Sequence, residues 1–268
     1  MLVAGISRTV LNSMPDWALF VLIVGCVVIG ALIGLFLTRK YLAHWRTTVD
    51  GPVVAAVAAM VMTLFALVLA FAILTLYDQF NAATESVAAE ATDLSQIVHD
   101  SNSFPPATQQ AIKNAIKAYT LEVRDTEFAR MHDGKEDPKA EELFEDIFTA
   151  FQHYNPQSRS QVGFYNSAVT QLNDAVTQRR ARLERVDTAL PIAFSALLFL
   201  SALVSIMTTF FLSTENRRLE VVLVACVAVI VGAGMLTVLL LQYPFSGSVA
   251  VSSHPFVSGY LALLLGEG

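Results

Sequence analysis

Asp78, Asn81 and Glu85 follow one another at intervals of three and four residues in the segment "YDQFNAATE". On a helix advancing 100° per residue, this spacing stacks two carboxylates and an amide on one face. Repeated around an axis by several copies of the chain, such a face would form rings of carboxylate, which favour cations. Met60, Leu64, Leu67, Phe71 and Leu74 precede them on the same arc, with Thr63 at its edge. An apolar constriction of this kind gates by dewetting. The plainer reading is that these side chains meet lipid or neighbouring helices, and that Asp78 marks the water boundary. Ala55, Ala56, Ala58 and Ala59 open the same segment and allow close helix approach, which favours assembly.

No catalytic signature accompanies them. The chain lacks a Gly-rich phosphate loop, an HExxH motif, paired Cys/His spacing and a nucleophile elbow, so neither an enzyme nor a cofactor is expected. His99, His132 and His153 are placed in separate helices, which argues against a metal site. His44 beside Trp45 reads as an interfacial pair at a membrane surface. The cluster Arg179, Arg180, Arg182 and Arg185 could face lipid headgroups or pair with nearby acids, both structural roles.

The elements that must position these residues follow from composition. The 268 residues are 54% hydrophobic and only 15% charged, with a mean hydropathy of +0.55. Ordinary soluble domains carry about 25% charged residues. Charge is absent from Trp17 to Thr38, Pro52 to Tyr77, Ala189 to Ser213 and Val221 to Tyr243. Each run exceeds the roughly 20 residues a helix needs to cross a bilayer. Four spans are therefore expected, and the first is too long for the apolar core of a cleaved signal peptide. Cys26 and Cys226 lie inside spans and read as small apolar residues.

Residues 78–187 hold 18 acids against 11 bases, a net of −7, while the remainder carries a net of +1. An acidic module thus sits between two hydrophobic hairpins, which excludes a nucleic-acid binder. Its stripes are helical: Ile112, Ile116, Tyr119 and Val123; Phe144, Ile147, Phe148, Phe151 and Tyr154; and Val162, Tyr165, Val169 and Leu172. Breaks fall at "SFPP", "DGKEDP" and "NPQS", and no segment has the alternation of a strand. From Leu64 to about Asp100 there is neither Pro nor Gly, so the second span is expected to continue as one long helix. A helix from about Gln157 is expected to run on towards the third span, with Pro191 starting or kinking it. Orientation is not decided by charge. Arg39, Lys40, Arg46, Arg217 and Arg218 on one side balance Arg8 and the four arginines of 179–185 on the other.

Four segments then follow one another in order and spacing: "FAILTLYDQFNAATESVAAEATDL", "PPATQQAIKNAIKAYTLEVR", "LNDAVTQRRARLERVDTALP" and "YPFSGSVAVSSHP". Together they resemble the bestrophin-like domain family of bacterial membrane proteins, over roughly residues 50–260. The residues carrying the likeness are Phe71, Glu90–Ala91, Pro106, Tyr119, Arg124, Leu172–Asn173, Pro191, Pro244 and Gly247. Thr92 stands where the family usually has Asn, and Ala83 and Thr84 stand where it usually has basic residues. These departures make the segment more acidic and bear against an anion preference.

The resemblance implies a ring of copies around a central pore, with the second helix forming the neck. The resulting expectation is an all-α membrane protein of four transmembrane helices in two hairpins. A hairpin at 1–77 precedes the soluble module at 78–187; a second hairpin at 188–243 precedes a C-terminal segment at 244–268. It is expected to be a homo-oligomeric channel, a tetramer or pentamer, in a bacterial inner membrane with the module in the cytoplasm. K⁺ or Na⁺ is the expected ion, and lipid and further copies of the chain are the other partners. A non-conducting scaffold or signal-transmitting protein and an anion channel are the alternatives.

Overall fold

The computed structural model describes residues 8, 11–42, 44, 50–187, 190–212 and 216–266. Trp45 and Arg46, and with them the expected interfacial pair, lie outside these residues. The described elements are helices: α1 (Asp16–Tyr41), α2 (Gly51–Asp100), α3 (Pro106–Glu122), α4 (Phe128–His132), α5 (Pro138–Gln152), α6 (Arg159–Glu184), α7 (Ile192–Thr209), α8 (Arg217–Leu241) and α9 (Gly259–Leu265). Among the described residues there is no strand. Helices α1, α2, α7 and α8 are long and apolar enough to cross a membrane.

Two compact units emerge. The first, residues 13–78 and 189–242, contains the four spans. α8 packs along α1, and Gly232 permits the approach: a Cβ there would stand 3.2 Å from the backbone of Val24. Phe65, Ala72 and Leu76 of α2 join Leu198 and Ala202 of α7 and Val231 and Val238 of α8 in one apolar cluster. Arg39 closes an ion pair with Glu220 at 2.6 Å, so a basic residue of the loop-side group is spent within the unit.

The second unit joins residues 1–12 and 79–188 with 243–268. Its core takes Leu94 and Ile97 from α2, Ile112, Ile116 and Tyr119 from α3, Phe144 and Ile147 from α5, and Leu172 from α6. The C-terminal segment contributes Phe245, Val251, Phe256 and Leu261 to the same core, although composition alone set it apart. Local chemistry starts each helix. Pro106 and Pro138 stand in the first turns of α3 and α5, where a missing N–H costs nothing. Asp137 caps α5 through the Lys139 N–H at 3.3 Å. Ser158 and Gln161 form a reciprocal capping box on α6.

Two expectations change. α6 ends at Glu184, followed by a short tight turn over Arg185–Asp187, so it does not run on into α7. Pro191 caps the start of α7, the first of the two roles expected of it, as an X-Pro junction that disfavours helix in the preceding residue would have it. Val162 is exposed, and the buried stripe of α6 is Ala168, Leu172, Ala175, Arg179 and Arg182.

Between α3 and α4 the chain makes a π-turn, Val123–Glu127. It inserts one residue into the helical repeat. Burial then passes from Ile112, Ile116, Tyr119 and Val123 to Glu127 and Met131 at steps of four, three, four, four and four. On an uninterrupted helix the drift would put Glu127 about 50° and Met131 about 90° from the mean direction of that stripe, so the extra residue chiefly keeps Met131 on the buried face.

Candidate functional site

α2 has two opposite faces throughout its length. Leu76, Ala83, Val87, Glu90 and Leu94 are buried, and they cluster about 180° from the arc that contains Leu67 and Glu85. On that outer arc Met60, Leu64, Leu67, Phe71 and Leu74 are each 54–68% exposed. Asp78 and Glu85 are also exposed, and Asn81 is half-buried. Thr63 is exposed, but its hydroxyl donates to the Ala59 carbonyl at 2.8 Å, so its hydrogen is engaged along its own helix. α2 therefore carries the apolar and carboxylate residues in one line, and among the described residues nothing buries them.

The family-motif residues divide differently. Glu90 and Tyr119 meet in a buried charge cluster that α6 completes. Tyr119 donates its hydroxyl hydrogen to Glu90 Oε1. Arg182, fully buried, reaches Glu90 Oε2 through Nε at 2.8 Å and Glu127 Oε2 through Nη2 at 2.7 Å. Arg179 binds Glu127 Oε1 at 2.8 Å and Glu141 Oε2 at 3.0 Å. Both guanidinium groups also donate to the Tyr119 oxygen, at 3.1 and 3.3 Å. The Arg182 cation lies over the rings of Phe128 and Phe256, 5.5 and 5.8 Å from their centroids.

Two cations and two anions are thus enclosed together, with Glu141 at the rim. Burial opposes the charge on Arg182, but the Glu90 and Glu127 carboxylates outweigh it and hold its pKa well above the ordinary value. Burial, and then the Glu90 carboxylate, push the Tyr119 hydroxyl well above its usual pKa, so it stays a donor. Such a cluster is a fixed joint between α2, α3 and α6 rather than a binding pocket. Of the arginine cluster, Arg179 and Arg182 pair with module acids and do not face headgroups, and Arg185 donates to Ser86 at 2.8 Å. One turn beyond Glu90, Asp93 lies near Asp174 of α6. Burial first, then the Asp174 and Glu90 carboxylates, raise its pKa from 3.8 to about 6.

The other motif residues serve local geometry. Arg124 lies in the π-turn and pairs with its neighbour Asp125 at 2.6 Å, away from the cluster. Asn173 is exposed, and its carbonyl accepts from Thr177. Pro244 accepts the Val251 N–H at 2.8 Å, closing a turn in which Gly247 takes φ +79°, a conformation that favours glycine. The Gly247 N–H donates to Asn12 Oδ1 at 3.0 Å, while Asn12 Nδ2 and the Ser246 hydroxyl both donate to the His132 carbonyl. This ties the N-terminal residues and C-terminal segment to α4. Among the described residues no group of three or more His, Cys, Asp or Glu could hold a metal.

A family model described as the Bestrophin-like domain matches residues 25–256. Among curated proteins nothing matches. The fold is similar to that of a solved membrane protein carrying a single substitution, with a TM-score of 0.70 and 11% identity. It is similar to a bacterial bestrophin homologue from Klebsiella pneumoniae, also a point mutant, with a TM-score of 0.69 and 11% identity. Each likeness covers 92% of this chain and 98% of the other; at that identity it speaks of fold alone.

Proposed function

The chain belongs to the bestrophin-like domain family, and from that premise we propose that it forms a homo-oligomeric channel for monovalent cations, K⁺ or Na⁺. Copies of α2 surround an axis, four or five to a ring. Met60, Leu64, Leu67, Phe71 and Leu74 form the neck, and Asp78, Asn81 and Glu85 form the acidic mouth, with Thr63 on the side of Leu67, Phe71 and Leu74 away from that mouth. The protein resides in a bacterial inner membrane, with residues 78–187 in the cytoplasm between hairpins at 1–77 and 188–243.

The observation that carries this reading is the unbroken outer face of α2. Five large apolar side chains stay exposed, and the same arc then presents Asp78 and Glu85. A purely lipid-facing stripe has no need of carboxylates continuing its line, whereas repeated carboxylates at a low-dielectric mouth focus a negative potential and concentrate cations. The buried Glu90–Arg182 joint holds α2 by its opposite face, which leaves the outer face to the path.

The test is ion flux from purified protein in liposomes. K⁺ or Na⁺ should move while Cl⁻ lags. Asp78→Asn with Glu85→Gln should lower cation flux, most at low salt, where screening is weakest. Silence of both the wild type and Phe71→Ala, which wets the neck, would favour the scaffold. Flux whose reversal potential follows Cl⁻ would make it an anion channel.

A further inference from the structure

Within the module α2 and α6 meet along one edge of each, running in opposite directions. Ser86, Glu90 and Asp93 share an arc of about 60° on α2, and Arg185, Arg182 and Asp174 share about 80° on α6 and its cap. Side chains cross this seam in three rungs. Arg185 donates to Ser86 Oγ at 2.8 Å, and Arg182 donates from Nε to Glu90 Oε2 at 2.8 Å. Those two rungs attract. The third sets a half-buried Asp93 against an exposed Asp174, and like charges so placed resist ionising together. Leu94 and Leu172 lie beside this rung in the module core, which gives the seam an apolar backing to close on.

The charged groups acting on Asp93 are Asp174 from α6 and Glu90 one turn back on α2. Arg182 already answers Glu90, and among the described residues no ion pair reaches Asp93. A proton is therefore what quiets the third rung. Burial first, then the two carboxylates, put the Asp93 pKa at about 6, so between pH 5 and pH 7.5 it goes from roughly one-tenth to almost wholly ionised. The rung stands on the same continuous helix as the neck: α2 runs from Gly51 to Asp100, with neither Pro nor Gly between Leu67 and Asp93. A change in how α6 grips that helix is thus passed along a stiff rod to Leu67 and Phe71.

We propose that Asp93 and Asp174 form a proton switch on cation flux, in which a proton held by Asp93 closes the third rung and clamps α2 against α6, and its release parts the rung and frees α2. The proton passes to the water that reaches Asp174. Flux is then low in mild acid and high at neutral pH. This rests on the channel reading and adds to it a control seated in the module, outside the neck and its acidic mouth.

The test uses the full chain in liposomes, measuring K⁺ flux with both sides at pH 5, 6 or 7.5. Wild-type flux should rise several-fold across that range, with its midpoint near 6. Asp93→Asn, held neutral, should stay at the low level throughout, and Asp93→Glu should restore the step. Asp174→Asn, which removes the repulsion, should move the midpoint to lower pH and so tests the pair without altering Asp93. Asp78→Asn with Glu85→Gln should lower flux yet keep the step. A flux that does not change with pH overturns the switch and leaves the channel standing. So does a step that survives Asp93→Asn, or an Asp93→Asn variant as active at pH 5 as wild type is at pH 7.5. A wild type that carries no ion at any of these pH values overturns both.

Discussion

Replacing Arg182 with Met keeps much of the apolar stem and removes one charge from an enclosed set of four. Glu90 and Glu127, both fully buried, would then face Arg179 alone. Removing one partner of a buried ion pair costs about 3–5 kcal/mol, because the other charge stays dehydrated. At about 2–4 °C per kcal/mol for domains of 150–250 residues, the melting temperature should fall by roughly 6–20 °C. Glu90→Gln leaves the opposite imbalance, two guanidinium groups against Glu127, and should cost a similar amount. The double variant keeps the Arg179–Glu127 pair at 2.8 Å and restores neutrality. Its loss should therefore be smaller than the sum of the single losses by about 2 kcal/mol or more, a coupling within the range for residues of one network. Thermal unfolding in nanodiscs, followed by the far-ultraviolet circular dichroism of the helices, reads all four corners of the cycle. Additive losses within about 0.5 kcal/mol, or an Arg182→Met variant as stable as wild type, would refute the argument that this charge set is closed and balanced.

Asp93 supplies a pH-dependent counterpart. Its raised pKa means that the folded protein binds this proton more tightly than the unfolded chain, so its contribution is greatest below 3.8 and is lost as pH rises through about 6. Asp93→Asn is accordingly expected to raise the melting temperature at pH 7.5 and to change it little at pH 4; an equal change at both would oppose the repulsion from Asp174. Leu67→Cys, in a chain lacking Cys26 and Cys226, should trap oligomers under oxidation far more efficiently than Phe199→Cys, a still more exposed position on α7. Equal trapping at both would argue against α2 at the axis.

The parts legible in the sequence were those that depend on one element at a time. Charge-free length gave the spans, and "SFPP", "DGKEDP" and "NPQS" mark the breaks. The two faces of α2 needed only its own periodicity. The charge cluster needed three elements at once. "RRARLER" leaves lipid headgroups and nearby acids as equal partners until Arg179 and Arg182 are seen in phase with Ala168, Leu172 and Ala175, and that phase was the available signal for the acids. The π-turn at Val123–Glu127 leaves no compositional mark, since one inserted residue only slips the repeat. Asn12 and Ser246 were silent because their partner is a backbone carbonyl, that of His132, which no residue type announces.

The enclosed charges also impose an order on biosynthesis. Glu90 and Glu127 leave the ribosome well before Arg182, which trails Glu127 by 55 positions. At about 5–20 residues per second, that interval lasts several seconds. During it α2 to α5 exist without the cations that make burial of their carboxylates tolerable, so the nascent module must stay open to water around both. Closure awaits α6, and α7 follows immediately behind it in translation. The first hairpin thus enters the membrane beside an unfinished module, and the arginines of α6 license its core to shut just as the second hairpin begins to emerge.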